Sequence, residues 1–68
     1  MPLVRINMWP TVTNEQKDAL IRNVTQAVVD SIGCRDQAVQ IMLFEVDKSD
    51  WSTGGVRHSE LYPDVTGH

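Results

Sequence analysis

Between Leu3 and Val46 the chain holds three core-forming patterns: a period-two apolar run, one amphipathic helical stripe and one continuous apolar run. In Leu3 to Met8, the residues Val4, Ile6 and Met8 fall on one face and Leu3, Arg5 and Asn7 on the other, the alternation of a half-buried strand. Trp9-Pro10-Thr11-Val12 ends that strand, because Pro10 has no N–H to donate and biases Trp9 toward extended backbone. Thr13 and Gln16 form the T-x-x-Q pattern of a capping box, which predicts a helix from Asn14. Leu20, Val24, Ala27, Val28 and Ile32 make one apolar stripe, while Lys17, Asp18, Arg22 and Asn23 lie mostly off it as a wet face; Gly33 supplies the stop. After a loop from Cys34 to Gln37, Ala38 to Val46 reads as a buried central strand.

Strand, helix and strand in so short a span form one crossover unit, so the two strands are expected to run parallel with the helix on one face. The other face stays bare. A chain of 68 residues buries only about 60% of its unfolded surface, and a two-stranded sheet with an uncovered apolar face does not stand alone in water. Small domains usually add a disulfide or a metal, but Cys34 has no partner, and one thiol with His58 and His68 gives no zinc spacing. Oligomerisation remains as the expected staple. The fold class is therefore α+β: a single domain over residues 1–68, a β-α-β protomer that assembles with other copies.

Beyond Asp47 to Asp50, Trp51-Ser52-Thr53 and Val56-Arg57-His58 flank Gly54-Gly55 and read as a small C-terminal β-hairpin, an arm able to reach a neighbouring subunit. The tail from Leu61 to His68 has no period and is expected to be partly mobile. Net charge is -3, and Lys17, Arg22, Arg35, Lys48 and Arg57 are scattered, so no basic patch for nucleic acid forms. Neither a secretion signal nor a membrane-spanning run is visible, and a reducing, cytoplasmic setting is the expectation. Asn23-Val24-Thr25 matches the glycosylation pattern but falls inside the helix.

Pro2 carries the chemistry that the composition otherwise lacks. Methionine before a small residue such as proline is a usual substrate for initiator-Met removal, which would leave Pro2 with a free secondary amine. An α-amino group titrates near 7.7 to 8.0, and apolar walls lower that by disfavouring the cation. Held rigidly at the first position of a strand, such an amine can take a proton from carbon or enol oxygen and return it elsewhere.

The stretch Pro2 to Met8, the run Thr13-Asn-Glu-Gln-Lys-Asp-Ala-Leu-Ile-Arg22, the central strand, and Trp51-Ser-Thr-Gly-Gly55 together resemble the 4-oxalocrotonate tautomerase family over about residues 2 to 60. The resemblance implies a β-α-β protomer, six per assembly as a trimer of dimers. It also implies Pro2 as catalytic base without a cofactor, and an aromatic residue before the Gly-Gly turn lining the site from a neighbouring chain. Here that residue is Trp51, whose indole offers an apolar wall and one N–H donor. The family's diacid-processing members carry arginines where this chain has Val12 and Gln40, and neither side chain replaces a forked guanidinium. A small carboxylic acid with one carboxylate is thus the expected substrate, with Gln40 donating to a carbonyl and Arg57 meeting the carboxylate. The partners are expected to be identical chains or a second subunit type.

Two other outcomes are open. Dehalogenase members use the proline as acid with an acidic water-activating residue, which in one subunit type falls where this chain has Thr53; the segment from Gly55 to Glu60 is similar to the C-terminal part of the other subunit type. A hydratase or dehalogenase acting on 3-substituted acrylates is one alternative, and a catalytically silent oligomeric scaffold is the other. Trp9 is assigned equally to a pocket rim or an oligomer contact, and Arg5 and His58 are minor candidates. Cys34 reads as an unreactive loop thiol, with only Arg35 nearby to lower its pKa.

Overall fold

A computed structural model of the chain describes residues 2–64. Met1 and residues 65–68, with His68 and most of the expected mobile tail, lie outside the described residues. Six elements follow in order: β1 (Leu3–Met8), α1 (Asn14–Ile32), β2 (Gln40–Glu45), β3 (Ser52–Thr53), β4 (Val56–Arg57) and α2 (His58–Leu61). The β1 and β2 strands pair in parallel from Leu3↔Gln40 to Met8↔Glu45, and β3 and β4 form a separate antiparallel hairpin. The α+β protomer with its parallel two-stranded sheet, crossover helix and C-terminal hairpin is as the sequence predicts, except that the hairpin strands exclude Trp51 and His58, the latter opening α2.

The boundaries of α1 come from local chemistry. Gln16 N–H donates to Thr13 Oγ1 at 3.1 Å and Thr13 N–H to Gln16 Oε1 at 2.9 Å, so both halves of the capping box close. Gly33 ends the helix in the left-handed region at φ 73°, its N–H donating to the Val29 carbonyl at 2.9 Å. Thr13→Ala removes one half of the box and is expected to cost about 1 kcal/mol, visible as a lower urea midpoint with an unchanged slope.

Three details differ from the sequence reading. First, β2 begins at Gln40, not Ala38, because Asp36–Ala38 is a 3-10 turn. There Ala38 N–H donates to the Arg35 carbonyl and Val39 N–H to that of Asp36, so neither is open to the ladder. Second, the helix stripe is shorter than expected. Leu20, Val24 and Val28 are half-buried, but Ala27 is exposed and Ile32 is 64% exposed. Nineteen helical residues span about 28 Å against about 20 Å for a six-residue strand, so one end of α1 overhangs the sheet. Third, Lys17 is not on a wet face: it is half-buried and ion-paired with Glu45, linking the start of α1 to the end of β2.

Parallel pairing puts each registered pair on the same side of the sheet. Val4, Ile6 and Met8 with Ile41 and Leu43 make the half-buried side; Leu3, Arg5, Asn7, Gln40, Met42 and Phe44 make the other. On that second side Leu3 is 49% and Met42 47% exposed, and the Arg5 guanidinium lies over the Phe44 ring at 4.9 Å. Among the described residues no apolar side chain is fully buried. The radius of gyration, 14.7 Å, exceeds the about 11 Å of a compact domain of this length. One chain by itself encloses no core.

Candidate active site

Pro2 stands half-buried immediately before β1, and its carbonyl accepts the Gln40 N–H at 2.9 Å. This bond extends the β1–β2 ladder by one rung and brings the first two candidate residues together. Gln40 is exposed, on the uncovered side of the sheet, and its amide makes no hydrogen bond to any described residue. Arg5 lies two residues further along the same side, engaged on Phe44. Val12 is half-buried in the loop before α1.

Trp51 and Arg57 lie at the other end of the sheet. The chain leaves β2 at Glu45, Val46 N–H donates to the Met8 carbonyl at 2.8 Å, and a 3-10 turn at Lys48–Asp50 leads to Trp51. Asp47 caps that turn by accepting the Ser49 N–H at 3.0 Å and the Ser49 hydroxyl at 3.2 Å, bonds that hold its carboxyl below the usual carboxylate range. Gly54 and Gly55, at φ 62° and 84°, form the left-handed pair of a type I′ turn. Arg57, registered opposite Ser52, is exposed and has no ion-pair partner among the described residues. About 20 Å of strand separates Pro2 from Trp51, so one chain does not assemble the four candidates.

Two clefts open at the Trp51 end. One, of about 270 Å³, is lined by Asn7, Met8, Trp9, Trp51 and His58. The other, of about 380 Å³, is lined by Asn7, Val46, Asp50 and Trp51. Trp51 thus separates two concave surfaces, with Asn7 common to both.

Between the two tryptophans lies a feature that the sequence reading did not find. His58, 9% exposed, is the one buried residue among those described. Its ring is stacked on Trp51 at 5.5 Å and 13°, and meets Trp9 and Tyr62 edge-on at 5.6 and 5.3 Å. Lys48 completes the cluster, with Nζ 4.8 Å from the Trp9 ring centroid and donating to the Tyr62 carbonyl at 2.7 Å. The tail expected from Leu61 therefore starts as structure: Leu61 ends α2, and Tyr62 packs on Trp9 and His58. Trp9, assigned to a pocket rim or an oligomer contact, is a cleft wall that also packs within its own chain. The His58–Tyr62 spacing of one helical turn was the available signal.

Known proteins match this β-α-β unit in sequence and in fold. The sequence pattern of the tautomerase enzyme family matches residues 2–60. The chain belongs to the tautomerase family. It is 36% identical over 61 residues to a 2-hydroxymuconate tautomerase of Comamonas testosteroni, covering 90% of this chain and 97% of that one. A solved structure of a 4-oxalocrotonate tautomerase isozyme from Methylibium petroleiphilum superimposes with a TM-score of 0.83 at 34% identity, covering 90% of this chain and 98% of that chain. A heterohexameric 4-oxalocrotonate tautomerase from Chloroflexus aurantiacus J-10-fl gives 0.83 at 31% identity, with coverage of 90% and 98%. These relatives support a tautomerase-type function for the chain.

Proposed function

We propose that this tautomerase moves a proton between oxygen and carbon of a small 2-keto or 2-hydroxy-enoate acid, with the amine of Pro2 as general base. The observation that carries this reading is the bond from Gln40 N–H to the Pro2 carbonyl, which fixes Pro2 at the end of a parallel ladder beside an amide free to meet a substrate oxygen. The neutral amine accepts the enol O–H proton, the oxygen electron pair becomes the carbonyl bond, and the displaced π pair takes the proton back from the ammonium at carbon. One O–H bond is lost and one C–H bond formed, so the step needs no electron acceptor and no cofactor.

The separation of Pro2 from Trp51 fits a site shared between subunits. A two-fold pairing of sheets sets the start of one β1 beside the end of the next, so Trp51 and Arg57 of one chain meet Pro2 and Gln40 of another. Trp51 forms the apolar wall, and Arg57, exposed and without a partner among the described residues, receives the carboxylate. Val12 offers no second cation, which favours a monoacid. A hexamer built as a trimer of dimers is the assembly this reading takes. It is formed of identical chains or, as in the heterohexameric Chloroflexus relative, of more than one kind. The lone thiol Cys34 suits a reducing compartment, and a cytoplasmic location belongs to this reading.

Intact-mass measurement after incubation with a small acetylenic acid tests it. The expected product has lost Met1 and gained one adduct that maps to the Pro2 nitrogen. A chain that has lost Met1 and stays unlabelled would count against the amine as a reactive centre.

A further inference from the structure

We infer that His58 is the positioning residue that holds the plane of the Trp51 ring, and through it the apolar wall of the site. The inference rests on the reading of Trp51 as a substrate wall. Tryptophan Nε1–H only donates, so the 3.2 Å bond from Trp9 to His58 Nδ1 makes that nitrogen the acceptor. The ring hydrogen then sits on Nε2, from which it is donated to Thr53 Oγ1 at 2.9 Å. Two hydrogen bonds at opposite corners leave an imidazole no freedom to spin about its own axis. The His58 N–H also donates to the Trp51 carbonyl at 2.7 Å, so the two residues are joined by backbone as well as by ring stacking.

The consequences are chemical. With both nitrogens engaged, His58 exchanges no proton with a substrate. Thr53, which closes the bond at Nε2, is likewise occupied by the clamp. The clamp members Trp9, His58 and Trp51 line the 270 Å³ cleft with Asn7 and Met8, so the width of that cleft follows from the imidazole geometry. Without the stack, Trp51 has the ordinary rotamer freedom of a half-exposed side chain, and ordering it again on binding costs affinity. The wall touches substrate in ground state and transition state alike, so its loss is felt in KM more than in kcat.

The test uses full-length, Met1-free protein and the enol of phenylpyruvate as probe substrate. His58→Ala is expected to raise KM about tenfold while kcat stays within about threefold. Thr53→Val keeps the side-chain shape, frees His58 Nε2 and is expected to raise KM about threefold, which covers the case in which His58→Ala fails to fold. With 5-fluorotryptophan in place of both tryptophans, the Trp51 resonance, assigned by loss of the other in Trp9→Phe, should shift and broaden in each folded variant. Unchanged KM and an unchanged Trp51 resonance in folded Thr53→Val would overturn the inference. A Pro2→Ala control separates the two readings: full activity there removes the proline mechanism, whereas lost activity there with unaltered His58 and Thr53 variants removes only the role of His58.

Discussion

Pro2→Ala is expected to lower kcat/KM on a small 2-hydroxy-enoate at least about a hundredfold, the scale on which loss of a positioned general base is felt. Alanine still presents an α-amine, so the expected loss comes from geometry and from the change of a ring-locked secondary amine to a freely rotating primary one. Pro2 is fixed from two sides: its ring restricts its own backbone, and its carbonyl accepts the Gln40 N–H. The alanine variant keeps the second constraint and loses the first. Its fold should be intact, since every β1–β2 pair from Leu3 onward is untouched. A matched comparison comes from protein that retains Met1, in which the Pro2 nitrogen is an amide without a basic lone pair. The Met1-retaining form should be inactive and the alanine variant at least about a hundredfold slower than the Met1-free parent, with mass spectrometry confirming each N-terminus. Equal rates for parent and variant would end the case for the amine.

How much of this was legible in the sequence depends on the range of the interaction. The helix start and stop were legible, because Thr13, Gln16 and Gly33 act within one turn of their own backbone. The faces of β1 were legible from alternation alone. The start of β2 was not: Ala38 and Val39 look like strand residues, and only the turn at Asp36–Ala38 shows that their N–H groups are already engaged. Lys17 looked solvated because Glu45, its partner, is 28 positions away. Gly54-Gly55 marks Trp51 locally as the aromatic residue before a turn, whereas the bond between His58 and Trp9 spans 49 positions and leaves no short-range mark in the sequence. The distance between Pro2 and Trp51 becomes visible only when strand direction is known: Pro2 precedes the start of the β1–β2 sheet, and Trp51 follows its far end.

The bare side of that sheet leads to the second large expectation: Met42→Lys should abolish assembly, and with it the folded state. Met42 lies in the middle of the uncovered side, flanked on β2 by Gln40 and Phe44 and registered opposite Arg5. No acidic residue occupies that side, so a lysine there adds a second cation beside the Arg5 guanidinium and finds no counter-ion. If a second copy covers this side, the ammonium is taken out of water unpaired, a cost of several kcal/mol. That is comparable to the whole stability of a small domain. Because the lone chain encloses no buried apolar residue among those described, a dissociated protomer has little to hold it folded. Light scattering should then report the 7.7 kDa chain or aggregate in place of the parent's multiple of that mass, and the cooperative thermal transition should vanish. For the parent, the melting temperature should rise with protein concentration, as linkage requires when folding and association are coupled. A Met42→Lys protein that remains assembled and melts like the parent would mean that this side of the sheet faces water, and that the cover for the sheet lies elsewhere.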